Sequence, residues 1–131
     1  MRLVLIALAV LAFVESPLHA EDVSMHEGME QVDDAYKTLG RGLRRPDPAD
    51  HDKYLAAIQS MQLNLVRTKD LEPKTATSPE AVTEYRKLMA ETLLIAVKME
   101  QALLDKDYAK ADELFDGLKE LKSKGHDQFK D

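Results

Sequence analysis

Two side chains near opposite ends of the sequence carry the most chemistry. Met29 offers a thioether sulfur, which packs as a hydrophobe or binds a soft metal. His126 offers an imidazole, the commonest protein ligand for transition metals. Met25 and His26 lie within a turn of Met29 and add a second thioether and a second imidazole. The chain has no cysteine, so thiolate chemistry and disulfides are excluded. Catalysis finds little support. His51 falls near the start of the second helix, away from His126, so no histidine pair forms. Asp33 and Asp34 are adjacent acids that point in different directions on a helix and read as a solvated face. No enzyme is expected.

The elements that position Met29 and His126 can be read from apolar spacing. Residues 1–20 stand apart from them. Met1-Arg2 is a basic start, Leu3 to Val14 is an apolar run too short to span a bilayer, and Leu18-His19-Ala20 has the small-residue form of a cleavage site. This predicts a secretory signal peptide, with residues 21–131 as one mature domain in the periplasm and no membrane association after cleavage. Within that domain Met25, Met29, Val32, Tyr36, Leu39 and Leu43 recur at steps of three and four, one stripe of an amphipathic helix. This first helix is predicted from about Asp22 to Gly40 or Leu43, with the two glycines Gly40 and Gly42 framing its end. Asp47-Pro48 and Asp50 start a second helix that fades by Thr68. Thr77 or Ser78 as cap, with Pro79 and Glu80 in the first turn, starts a third, reaching about Leu104, whose broad apolar face predicts the most buried helix. Asp105 or Asp107 starts a fourth, to about Phe129. No strand pattern occurs. The expected fold is all-α, an antiparallel up-down-up-down four-helix bundle.

In such a bundle the start of the first helix and the end of the fourth share one end. At 1.5 Å per residue, Met29 lies roughly 10 Å deep and His126 roughly 7 Å deep from that end. Met and His at matching heights are the axial ligand pair of low-spin electron-transfer haems, in which the thioether raises the reduction potential. The same height picks out Met61 and Leu65 on the second helix, Tyr85 and Met89 on the third, and Leu118 and Lys122 on the fourth. The connection around Leu71 and Pro73 lies there too, where it could cover a cofactor edge. Covalent haem is excluded, because C-x-x-C-H is absent.

Two segments carry a family resemblance. Gly28-Met29-Glu30-Gln31-Val32-Asp33-Asp34-Ala35-Tyr36-Lys37, and then Leu118-Lys119-Glu120-Leu121 with His126-Asp127-Gln128-Phe129-Lys130, resemble the opening and closing helices of the cytochrome b562 family, soluble periplasmic bundles with one non-covalent haem b. The likeness covers nearly all of the mature chain, including the proline-bearing connection between the second and third helices. It implies Met29 and His126 as axial ligands and Tyr85 and Met89 as haem-packing residues. Lys122 stands where the family has Arg, and Met89 where it has a second aromatic.

The resemblance implies one-electron transfer with both axial positions filled. The formal charge of -6 argues against nucleic acid, which needs clustered cations, and favours a basic redox partner. A monomer is expected. A different class of function is periplasmic copper or stress binding through Met25, His26, Met29 and His126, since thioether and imidazole suit copper(I). A third is a cofactor-free interaction module.

Overall fold

Ser24 sets where the first helix begins. Its hydroxyl accepts the Glu27 backbone N–H at 3.1 Å, satisfying one of the donors that a helix start leaves free. α1 then runs Met25–Arg44, in a computed structural model that describes residues 24–129. The expected signal peptide, Glu21 and Asp22 lie outside those residues. α1 does not stop at its glycines. It continues through Gly40 and Gly42 because other helices come close there. A Cβ on Gly40 would lie 3.0 Å from Phe115 Cζ, and one on Gly42 would overlap the Tyr54 ring. Glycine marks close approach here, not a terminus.

Asp47 opens the next element as expected. Its carboxylate accepts the Ala49 N–H at 2.9 Å, and Pro48–Asp50 forms one 3-10 turn before α2, His51–Thr68. Ser78 caps α3, Pro79–Leu104, by accepting the Ala81 N–H at 3.1 Å. Asp107 accepts the Lys110 N–H at 3.0 Å at the start of α4, Tyr108–Phe129. The tight turn before α4 places Lys106 at φ 55, in the left-handed region. The described residues are all-helical, with no strand, and none of the helices is long and apolar enough to cross a membrane.

The four helices bury one core. Leu39, Ile58, Met61, Leu65, Met99 and Leu103 are fully buried within it. Neighbouring helices pack closely from α1 to α2, α2 to α3 and α3 to α4, whereas α1 and α4 touch least. Contacts fix the register. Met29 meets Thr68 and Gly42 meets Tyr54 across α1 and α2. Tyr85 meets Thr68, and Gln62 meets Ala96, across α2 and α3. Gly125 lies under Leu88 and Gly117 under Ile95 across α3 and α4. Gly125 makes room for Leu88.

α3 is less enclosed than its composition suggests. Leu94 is 55 % exposed, Val97 40 % and Leu104 60 %. Its apolar surface is wider than the arc that α2 and α4 cover.

Candidate functional site

The end of the fold that holds Met29 is built around one buried hydroxyl. Thr68, the last residue of α2, is fully buried. Its hydroxyl donates to the Asn64 carbonyl at 2.7 Å, one turn back in the same helix. Its own carbonyl accepts the Tyr85 phenol at 3.0 Å. That phenol also lies 3.3 Å from Met25 Sδ. Burial pushes the Tyr85 hydroxyl up to about 12, so it stays a neutral donor across the ordinary pH range.

Met29 Sδ lies 3.9 Å from the Thr68 hydroxyl. The hydroxyl proton goes to the much nearer Asn64 carbonyl, so the thioether lone pairs meet no strong donor. Met29 is also 37 % exposed, more open than the other members of its stripe. His126 is exposed in the last turn of α4 and makes no hydrogen bond or ion pair among the described residues. Both donor groups are therefore uncommitted.

Their relative height follows from an ion pair one turn deeper. Lys122 Nζ lies 2.8 Å from Asp33 Oδ1, joining α4 to α1. Further along α1, Tyr36 and Phe115 pack with ring centroids 4.8 Å apart. Contacts thus move up α1 as they move back along α4. Met29 is one turn before Asp33, and His126 one turn after Lys122. Each lies about 6 Å beyond the ion pair, towards the same end. Asp33 was expected on a solvated face. It is instead half-buried, because Lys122 and Lys37 both reach it, the latter at 2.7 Å. The two lysines hold its carboxyl below the usual range. Lys122 also sits over the Tyr36 ring at 4.1 Å.

The other expected wall residues gather as a group. Met61, Leu65, Tyr85 and Met89 are all buried in the one core cluster. Phe129 closes it, edge-on to Tyr85 with centroids 5.6 Å apart at 82°. The connection between α2 and α3 is tied down at this point, where the Thr75 hydroxyl donates to the Phe129 carbonyl at 2.9 Å. Leu71 stays at its surface.

Not every expected ligand converges. His26 is 90 % exposed and its nearest charged neighbour is Glu30 at 3.9 Å, out on the solvent side of α1. Met25 turns inward to Tyr85. The set Met25, His26, Met29 and His126 is therefore not gathered at one point. No cluster of three or more His, Asp or Glu side chains suited to a metal forms among the described residues. His51 is occupied far away, with Nδ1 at 3.0 Å from the Tyr108 phenol.

Thr68 was expected as the end of the second helix but not as a buried residue, although the signal was there. The buried stripe Tyr54, Ile58, Met61, Leu65 continues to position 68 at helical spacing.

No family model matches the chain, and no characterised protein or solved structure gives a significant match.

The residues at this end fit a haem in donor chemistry and in lining. Met29 offers a thioether and His126 an imidazole without strong partners, and Tyr85, Met89, Met61 and Leu65 are apolar members of the core. Two surface clefts formed by the described residues lie elsewhere, one between α3 and the chain just past α2 and one between α1 and α2, and neither is lined by Met29 or His126. Met25 and Phe129 are part-buried against the core at this end.

Proposed function

We propose that this chain is an exported electron-transfer protein that holds one non-covalent haem b between Met29 and His126. The observation that carries this reading is the Asp33–Lys122 ion pair, which sets α1 and α4 in a register with both donors one turn beyond it. An antiparallel up-down-up-down bundle belongs to the same reading. It is supported by the paired contacts Met29–Thr68 with Gly42–Tyr54, and Leu88–Gly125 with Ile95–Gly117. When bound, haem iron supplies a one-electron couple, which a thioether ligand biases towards the ferrous state.

The chain's own residues hold and orient. Met29 and His126 grip from two helices. Tyr85 and Met89 line the apolar floor, with Met61 and Leu65 behind them. Lys122, already paired with Asp33, would offer a cation to anionic groups of the cofactor. Leu71 and Pro73 belong to the connection that Thr75 fastens over this end. Periplasmic location rests on the N-terminal pattern, and the acidic surface favours a basic redox partner at low ionic strength.

The experiment is a hemin titration of the purified protein, with spectra before and after dithionite. The expected result is a six-coordinate b-type spectrum with sharp reduced α and β bands, lost in Met29→Ala and in His126→Ala and unchanged in His26→Ala. A Soret band that does not shift on titration would sink the reading. Copper(I) binding lost in Met25→Leu and His26→Ala would put the copper-binding alternative in its place.

A further inference from the structure

The large apolar side chains that stay exposed are unevenly distributed. Leu63, Val66, Leu94, Val97 and Leu104 lie on α2 and α3, and the others among the described residues are Met29 and Leu71. Leu94 and Val97 border a cleft beside the α2–α3 seam. Gln62 of α2 crosses it, with its amide 3.4 Å from the Ala96 carbonyl and 2.8 Å from the Glu100 carboxylate of α3. Val66 is one turn further along the same side of α2. The cleft has a volume of about 450 Å³. Its floor is Ala90, Leu93, Leu94 and Val97, and Lys69, Asp70 and Arg86 close one end.

The charges on this face are placed with a symmetry that the fold itself does not use. Lys69 and Asp70 neutralise each other at 3.0 Å. Arg86 makes no ion pair among the described residues, and neither does Glu100. They lie about four turns apart along one side of α3, and Leu93 is midway between them in sequence. Ala90 and Val97 also flank that midpoint. A surface with opposite charges at its two ends and apolar residues about its centre is complementary to itself after a half-turn.

We propose that this face binds a second copy of the chain, forming a dimer in place of the monomer expected from the sequence. The copies cross α3 on α3 about a two-fold axis near Leu93. Arg86 of each copy then meets Glu100 of the other, and the two clefts enclose Leu93, Leu94 and Val97 between them. Such an isologous contact repeats each interaction twice. An acyl chain or a foreign apolar helix would match the floor, but it would not account for the matched opposite charges. The protein carries a net charge of -6, so copies should associate through a face that is locally balanced. The proposal is independent of haem.

The test is sedimentation equilibrium of the purified protein, with far-UV circular dichroism to show that each variant is folded. A concentration-dependent dimer is expected. Val97→Glu should abolish it. Arg86→Glu and Glu100→Arg each set like charges against one another at both ends and should weaken it by about tenfold or more. Mixed in equal amounts, these two variants should form a heterodimer, because every end then pairs opposite charges again. Gln62→Ala removes the hydrogen bond to Glu100 without changing charge and should leave the dimer in place. A wild-type protein that stays monomeric, a dimer unmoved by Val97→Glu, or charge variants that do not associate when mixed would each overturn the proposal. Binding of this face to anionic vesicles by a protein that stays monomeric would do the same.

Discussion

Lys122 of α4 binds the Asp33 carboxylate of α1 at 2.8 Å while its ammonium rests 4.1 Å from the Tyr36 ring centre. One side chain thus ties a charge and an aromatic face across the α1/α4 seam, where the helices otherwise touch least. Met29 lies one turn before Asp33 in α1, and His126 one turn after Lys122 in α4.

That ion pair should be visible in acid. Lys122 first, then Lys37, hold the Asp33 carboxyl below its ordinary range. A carboxylate with a depressed folded-state value binds fewer protons than the unfolded chain does. Its stabilisation is therefore complete above the unfolded value and is lost as pH falls through the folded one, below about pH 4. Asp33→Asn should lower stability by about 1 kcal/mol near neutrality, since the group is half-exposed and screened. The deficit against wild type should shrink as urea midpoints are compared at successively lower pH. A constant deficit would mean that the charge contributes nothing.

Gly42 should resist replacement although it lies inside a helix. Alanine would favour the helix by about 1 kcal/mol. Its Cβ, however, would overlap the Tyr54 ring, and overpacking of a tight contact costs about 1–3 kcal/mol. Gly42→Ala should therefore destabilise the protein in chemical denaturation, and Tyr54→Leu in the same chain should recover part of the loss. A Gly42→Ala variant more stable than wild type would show that the ring moves freely.

Thr75 fastens the α2–α3 connection to the last turn of α4 through the Phe129 carbonyl. Thr75→Val removes that donor while keeping the shape. Global stability should fall by about 1 kcal/mol or less. Amide exchange should quicken selectively between Gly125 and Phe129, as expected of a local opening. Uniform acceleration across α4 would place the effect elsewhere.

If haem binds as proposed, Met29→His exchanges the thioether for an imidazole. The ferrous state then loses its preferential stabilisation, so the midpoint potential should fall in a redox titration while the spectrum stays low-spin. An unchanged potential would exclude Met29 as a ligand.

The starts of the second, third and fourth helices were legible because caps are local, whereas the first begins at Met25 behind Ser24 and not at about Asp22. Asp47-Pro48 and Ser78-Pro79 announce themselves within four residues and form the expected hydrogen bonds. The end of α1 falls one residue past the expected Leu43, but the role of Gly40 and Gly42 was not legible, because they answer to rings on α4 and α2, which no local window contains. α3 does carry the most buried residues of the four helices, but the exposure of Leu94, Val97 and Leu104 was missed for a related reason. Apolar count says how wide a face is, but not whether a neighbour covers it. At the candidate site, Met61, Leu65, Tyr85 and Met89 were recoverable from periodicity alone. The Asp33–Lys122 pair joins distant parts of the chain, so neither its partner choice nor the half-burial of Asp33 could be read from Asp33-Asp34 as neighbours.

The weak packing between α1 and α4 also bears on how the chain reaches this fold. Each helix packs most closely against the one next to it in sequence, so most of the native structure is made by closing short loops. Folding rates rise as contacts become more local, and helical proteins of this kind fold on the order of microseconds to milliseconds. The first and last helices come together across the longest intervening chain. The seam that carries Asp33, Lys122, Met29 and His126 should therefore be the last to form and the first to open.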